Sequence, residues 1–198
     1  MWMSLKEELL KRFPYAELID TDLTMGLVDP EITDSLLVEQ KNNLVFLESQ
    51  NLNIITSVSS LLNSQISKER NINMLSSYRS ETYENENISF QHLGNLKFTY
   101  PTYFYPKYDE ELNELNDLFF ENFGKLPNKI VIRAYEITLD LILRSAFRRK
   151  LVKSINIGET KYYQNRFNYK KLNNGYINES VLLIQHDDLD VFEITSEK

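Results

Sequence analysis

The sequence predicts an α/β protein with a parallel sheet, and three observations favour this fold class. Apolar runs typical of strands alternate with segments of helical periodicity through the first 80 residues. Hydrophobic residues make up 42% of the 198-residue chain, which is enough for a sizeable core. No internal repeat or low-complexity segment interrupts the alternation. The first 80 residues therefore read as crossover units on a sheet.

The chain opens with a helix followed by a short strand. Leu5, Leu9 and Phe13 have the spacing of one helical face. After the turn at Pro14, "AELID" (16–20) is predicted as a short buried strand. The acidic, amphipathic start of this helix is not a signal peptide.

A capping signal marks the second helix. Asp29 supplies a carboxylate for the free N–H groups of the first turn, and Pro30 suits the first helical position. We expect this helix to run to about Gln40. The following elements are a strand at 43–49, a helix at 52–66 and a strand at 71–77. Helices between such strands are the connections that parallel pairing requires.

The segment after the polar stretch "YRSETYENENIS" (78–89) has a different character. "NLKFTYPTYFYP" is extended and rich in tyrosine, and its two prolines limit it to short pieces of strand. Tyrosine offers a flat ring and a hydroxyl, so a platform for sugars or bases is one interpretation. The favoured interpretation is a crossover between two lobes.

Two helices follow the crossover. "DEELNELNDLFFENFG" is helical and stops at Gly124. The next helix, 127–147, is apolar almost all round, with a narrow polar edge, and such a helix expects partners on two sides. That edge consists of Arg133, Glu136, Asp140 and Arg144. The basic run after it favours cations at a helix C-terminus over a nucleic-acid site. The run comprises Arg144, Arg148, Arg149, Lys150 and Lys153.

The C-terminal part is predicted as a turn at 173–175 and two short strands, 180–185 and 190–194, joined by "HDDL". His186 with the neighbouring carboxylates could form an oxygen-rich cation site or an acid/base pair. The favoured interpretation is a solvated hairpin turn, because the spacing matches no calcium-loop pattern. The carboxylates are Asp187, Asp188 and Asp190.

Composition and missing motifs exclude several function classes. A net charge of −7 argues against a general nucleic-acid binder. The five glycines are scattered singly, so neither a dinucleotide fingerprint nor a P-loop can be written. Two histidines and no cysteine leave no histidine-rich or thiolate metal site. We therefore expect no enzyme activity, no cofactor, no metal and no membrane span.

Polar loops follow the second and third predicted strands. These loops are "ESQN" (48–51) and "SSYR" (76–79), and both are rich in hydrogen-bonding side chains. Ligands of parallel sheets lie beyond the carboxyl ends of the strands. Ordinary strand-to-helix caps are an equally good interpretation. If a ligand site is present, Ser49 and Tyr78 should lie on the same edge of one parallel sheet.

Three phrases carry a resemblance to a known family. "LVFLES", "FGKLPNKIVIRAYEITLDLILR" and "FNYKKLNNGYINESVLLIQ" resemble, in the same order, the second half of type I periplasmic binding proteins. These are the branched-chain amino-acid receptors of ABC transporters. The nearest resemblance is to a branch found in Bacteroidetes, often joined to LysM peptidoglycan-binding repeats.

The resemblance implies a division into lobes. Residues 4–104 would form an α/β lobe 2, residues 107–150 a helical pair belonging to lobe 1, and residues 151–198 a return that completes lobe 2. The 127–147 helix would then pack on a lobe 1 sheet absent from this chain, or on a second chain. We accordingly expect Ile132, Leu139 and Leu143 to be exposed in the isolated chain.

The resemblance also implies a function. The parent protein would be a non-catalytic solute-binding protein of the periplasm or cell envelope, with a small polar, amino-acid-like ligand held between lobes. On the lobe 2 side, Glu48 would receive an ammonium group, Ser49 and Ser77 would hydrogen-bond a polar group, and Tyr78 would stack. Gln50 completes the predicted set. Alternatives are a scaffold beside LysM repeats with no small ligand, and an enzyme using the "HDDL" carboxylates.

Overall fold

The structure, a computed structural model, describes residues 2–15, 18–19, 29–106, 113–148 and 151–194. Its helices are α1 (Trp2–Arg12), α2 (Pro30–Leu36), α3 (Leu52–Ser64), α4 (Phe90–Asn95), α5 (Asn113–Phe123), α6 (Lys129–Arg148) and α7 (Leu151–Ser154). Its strands are β1 (Asn42–Phe46), β2 (Asn71–Leu75), β3 (Thr99–Thr102), β4 (Thr160–Lys161), β5 (Arg166–Phe167), β6 (Tyr169–Leu172), β7 (Gly175–Asn178), β8 (Leu182–Asp187) and β9 (Asp190–Glu193). The fold is mixed α/β.

The central sheet has five strands in the order β1-β2-β3-β8-β9. The first three are parallel, whereas β8 runs antiparallel to β3 and β9 antiparallel to β8. The prediction of a parallel sheet is therefore correct only for β1, β2 and β3. A two-residue connection between β8 and β9 can join only antiparallel strands. Two separate hairpins, β4–β5 and β6–β7, lie outside this sheet.

The core lies between the sheet and helices α3 and α4. Alternate residues of β2 and β8 point into it, including Ile72, Met74 and Ile184. From the helices, Ile55 and Leu93 are fully buried against them. This packing fixes the sheet register, because a one-residue slip would turn the apolar set to the other face.

Helix α2 begins as predicted but ends early. The Asp29 Oδ1 accepts from the backbone N–H groups of Glu31 and Ile32, at 2.9 and 3.3 Å. The helix ends at Leu36 rather than near Gln40, because Leu37 is already extended. Gln40 has a positive φ of 59°, and its N–H donates to the carbonyl of Glu69 instead of continuing the helix.

Other predictions have mixed outcomes. The strand predicted at 16–20 lies mostly outside the described residues, and Leu18 and Ile19, which are described, are not in a strand. The turn at 173–174 is confirmed between β6 and β7. Gly124 ends α5 with a φ of +66°, as its position predicts. The short helix α4 was not predicted.

Helix α6 buries its polar edge. Glu136, Asp140 and Arg144 are at most 3% exposed. The Glu136 carboxylate accepts from the backbone N–H groups of Gln164 and Asn165, at 3.0 and 2.9 Å. These bonds attach the helix to the segment after α7.

An ion pair forms the centre of this buried edge. The Arg144 Nε donates to the Asp140 Oδ2 at 2.8 Å, and both side chains are buried. The other guanidinium nitrogens donate to the carbonyls of Ser154, Gly158 and Phe167. Arg144 is therefore an internal cation paired with Asp140, which corrects its inclusion among the cations predicted to complement the dipole at the helix C-terminus.

Part of the apolar surface of α6 is exposed. Leu143 is 52% exposed, as expected, and Leu139 is partly buried. Ile132 is fully buried, so the prediction was wrong for this residue. It precedes Glu136 by one turn and shares the buried polar side of the helix.

Candidate functional site

The carboxyl ends of β1 and β2 bring the two predicted loops together. The strands are parallel and in register from Asn42 opposite Asn71 to Phe46 opposite Leu75. Residues 48–50 and 77–78 therefore leave the sheet at the same edge, as predicted for Ser49 and Tyr78. We call this the carboxyl edge.

Glu48 and Ser77 are in direct contact across this edge. The Glu48 Oε2 accepts from the Ser77 hydroxyl at 3.0 Å, and Oε1 accepts from the Ser77 N–H at 2.5 Å. Glu48 remains exposed, while Ser77 is half-buried. The carboxylate thus bridges two neighbouring strands and still faces solvent.

The hydrogen bonds of Ser49, Gln50 and Tyr78 are made to groups of the loops and caps around the edge. The Ser49 hydroxyl accepts from the N–H of Asn51, the residue that caps α3. The carbonyl of Gln50 accepts from the Thr82 hydroxyl at 3.1 Å, and the N–H of Tyr78 donates to the Ser76 hydroxyl. For Ser49 the ordinary capping interpretation therefore describes the geometry well.

Arg79 is a further charged residue beside these loops. Its guanidinium lies over the Tyr100 ring, 5.5 Å from the centroid, and its Nη1 is 3.1 Å from the Glu84 Oε1. Its Nε is buried with no hydrogen-bond partner among the described residues. The sequence places Arg79 in the second polar loop, but its stacking on β3 depends on the sheet order and could not be predicted.

Tyr83 lies below the edge in the core. Burial raises the pKa of its phenol, and the nearby negative charge of Glu48 raises it further. Its ring stacks on Phe98 at 4.7 Å, and its hydroxyl is buried with no partner among the described residues. The phenol is therefore neutral at neutral pH and packs in the core.

The structure separates His186 from the carboxylates beside it in sequence. His186 is buried between aromatic rings, including Phe98 and Tyr100. Asp187 instead pairs with Lys97, and the Asp188 Oδ1 accepts from Gln91 at 2.8 Å. The carboxylates belong to the β8–β9 hairpin, with Asp188 in its turn and Asp187 and Asp190 at the adjoining strand ends, and the imidazole nitrogens bond to none of them.

Two cavities lie at opposite edges of the sheet. A groove of about 590 Å³ at the amino edge is lined by Asn63, Asn95, Lys97 and Asp187 among others. A small cavity of about 80 Å³ lies beyond the carboxyl end of β3 and includes Tyr105. Within the described ranges, no three His, Cys, Asp or Glu side chains are grouped to hold a metal ion. The same ranges contain no helix that is long and apolar enough to cross a membrane.

No family model, curated protein or solved structure matches this chain. Its family resemblance therefore depends on the sequence phrases alone.

Proposed function

We propose that this chain is a non-catalytic binding module whose carboxyl edge forms one side of a site for a small polar ligand. The observation that carries the proposal is the Glu48 carboxylate, which bridges β1 and β2 at the edge where parallel sheets hold their ligands. The ligand class is amino-acid-like, and the parent is a type I periplasmic-binding-type protein of the cell envelope. The resemblance of the three sequence phrases supports this part of the proposal.

The geometry suits recognition of an ammonium group. Each oxygen of Glu48 accepts one hydrogen bond from Ser77, which leaves a lone pair on each toward solvent. The two bonds hold the carboxylate in one orientation, so little side-chain freedom is lost on binding. The site thus provides the anionic group, whereas Arg79, which follows β2, is already paired with Glu84.

One edge encloses only part of a ligand. Small-molecule sites bury about 70–90% of the ligand surface, and Glu48 is exposed. The chain alone should therefore bind with a Kd on the order of 1 mM. A second lobe over the edge would raise the affinity.

A second candidate function is a scaffold beside peptidoglycan-binding LysM repeats, with no small ligand. The observation in its favour is that the polar groups of Ser49, Ser77 and Glu48 are already bonded within the chain. On this view the bridge between strands stabilises the sheet edge and nothing more.

An NMR titration separates the two functions. Glycine, leucine, glutamate and lysine are each added to the isotope-labelled chain, up to tens of millimolar. The binding function predicts saturable shifts at the amides of Ser49, Ser77 and Tyr78, which disappear in Glu48→Gln. Glu69→Gln, at the other end of the sheet, is the matched control and should titrate like the unchanged chain. Absence of saturable shifts with all four amino acids would refute the amino-acid site and favour the scaffold.

A further inference from the structure

The small cavity beyond the carboxyl end of β3 lies apart from Glu48. The strand order β1-β2-β3 places β2 between this cavity and Glu48, which follows β1. The cavity is lined by Tyr105 from the tyrosine-rich segment, by Leu182 at the start of β8, and by residues 161–166 of the β4–β5 hairpin. Its volume is about 80 Å³, several times the roughly 10–15 Å³ that one water molecule needs. It is therefore large enough to hold part of a small molecule.

Backbone hydrogen bonds join the two parts of the lining. The Tyr105 N–H donates to the Gln164 carbonyl at 2.8 Å, and Phe104 forms an antiparallel bridge with Asn165. The N–H groups of Gln164 and Asn165 are in turn held by the buried carboxylate of Glu136. The cavity is therefore preformed, so binding does not require its backbone to be ordered first.

The side-chain amide of Gln164 gives this cavity a hydrogen-bonding character. Gln164 lines the cavity and is 5% exposed, and its Oε1 is buried with no hydrogen-bond partner among the described residues. A buried acceptor without a partner costs free energy, which a donor in the cavity would recover. The last torsion of a glutamine side chain is broad, so a small rotation turns the oxygen toward such a donor.

The charges around the cavity restrict the chemistry of that donor. Lys161 and Arg166 also line it, and their positive charges disfavour an ammonium group. An ionised carboxylate has only acceptor oxygens, so it cannot donate to Gln164. The donor is therefore an uncharged hydroxyl or N–H group.

We propose that this cavity binds part of a small sugar. Tyr105, Tyr162 and Tyr163 line it, and tyrosine rings provide flat apolar area against which the C–H groups of a sugar ring pack. Hydroxyl groups both donate and accept, so a sugar matches the Gln164 oxygen and the exposed Lys161 ammonium together. This site is independent of the proposed amino-acid site at Glu48.

An NMR titration of the isotope-labelled chain tests the proposal. Glucose, galactose, mannose and N-acetylglucosamine are each added up to tens of millimolar, and uracil and adenine are added as planar heterocycles. We expect saturable shifts at the amides of Tyr163, Gln164 and Asn165 with at least one sugar. Sorbitol, an open-chain polyol, is the matched control and should produce none. The amides of Ser49 and Ser77 report on the other site, so either site can fail without the other.

Substitutions in the lining locate the sugar. Gln164→Met removes the amide and keeps the backbone bonds of this residue, and it should weaken binding about fivefold to tenfold. Tyr105→Ala should weaken binding similarly, whereas Tyr105→Phe keeps the ring and should bind like the unchanged chain. Tyr103→Ala is the matched control, because Tyr103 belongs to the same tyrosine-rich segment, is 59% exposed and does not line the cavity. Circular dichroism shows whether each variant is folded.

Four results would overturn the sugar site. Absence of saturable shifts with all four sugars leaves the cavity to water. Equal shifts with sorbitol show that no ring is recognised. Tighter binding of uracil or adenine than of every sugar assigns the cavity to a planar heterocycle. Sugar binding that is unchanged in both Gln164→Met and Tyr105→Ala places the sugar elsewhere on the chain.

Discussion

Protonation of His186 should control the acid stability of this fold. The ring is 1% exposed, and both of its nitrogens are buried with no hydrogen-bond partner among the described residues. Phe90, Phe98 and Tyr100 surround it, at ring centroid distances of 5.6 to 6.0 Å. Burial, and to a smaller extent the positive charge of Arg79, lower the pKa of His186 from 6.5 to about 4. The imidazole is therefore neutral in the folded chain at neutral pH.

The size and sign of the effect follow from that difference in pKa. Below pH 6.5 the unfolded chain binds a proton at His186, whereas the folded chain does so only near pH 4. Stability is therefore complete above pH 6.5 and falls as the pH drops toward 4. At 1.36 kcal/mol per pKa unit, the full loss is about 3 kcal/mol. About 2 kcal/mol of it should be lost between pH 7.5 and pH 5.

Urea unfolding at pH 7.5, 6.5, 5.5 and 5.0 measures this loss. Carboxylates also titrate in this range. The free energy of unfolding at each pH is therefore compared between the unchanged chain and His186→Phe, which keeps all the other titratable groups. The variant should lose about 2 kcal/mol less over the series. His92→Gln, which removes the other histidine, is measured in the same series for comparison. Equal pH dependence in the unchanged chain and His186→Phe would refute the reasoning.

Two further substitutions test the packing. Gly94→Ala should destabilise the chain by about 2 to 3 kcal/mol, because the added Cβ would lie 1.9 Å from a carbonyl oxygen of the β8–β9 turn. Gly175→Ala, whose Cβ would meet nothing closer than 3.9 Å, should change stability by less than about 1 kcal/mol. Arg144→Met should cost about 3 to 5 kcal/mol, since it leaves Asp140 buried and unpaired. Arg12→Met, at an exposed ion pair, should cost less than about 1 kcal/mol. Urea unfolding at pH 7.5 measures the free energy of unfolding of all four variants. Equal losses for the two glycine variants would contradict the close contact at Gly94, and equal losses for the two arginine variants would contradict the buried ion pair at Arg144.

The parts of the fold that could be predicted have local signals. Asp29 and Pro30 mark the start of α2, and Gly124 marks the end of α5. Strand β1 ends in the apolar run Leu44–Phe46, and β2 alternates asparagine with apolar residues, both within ordinary strand length. Each signal acts within a few residues, so it does not depend on the rest of the chain.

The parts that could not be predicted depend on distant partners. Helix α4 has six residues and a single capping serine, which is too little for a periodic pattern. The position of Arg79 over Tyr100 requires β3 to lie beside β2. The polar loops of the carboxyl edge were identified from sequence, but the bridge from Glu48 to Ser77 depends on strand register.

The sequence pattern of α6 does not show whether its polar edge faces solvent or the interior. Glu136, Asp140 and Arg144 recur every four residues, a spacing that is equally consistent with a solvated edge and with an internal polar contact. The groups that bond this edge are backbone carbonyls and N–H groups between Ser154 and Phe167. Every residue has such groups, so the sequence does not show which of them will bond the helix. An apolar stripe facing that segment would leave its carbonyls and N–H groups buried without partners, each at a cost of about 1 to 3 kcal/mol. The polar edge is therefore the side of α6 that faces the interior. The buried network of Glu136, Asp140 and Arg144 thus has its cause in the polar backbone that packs against α6.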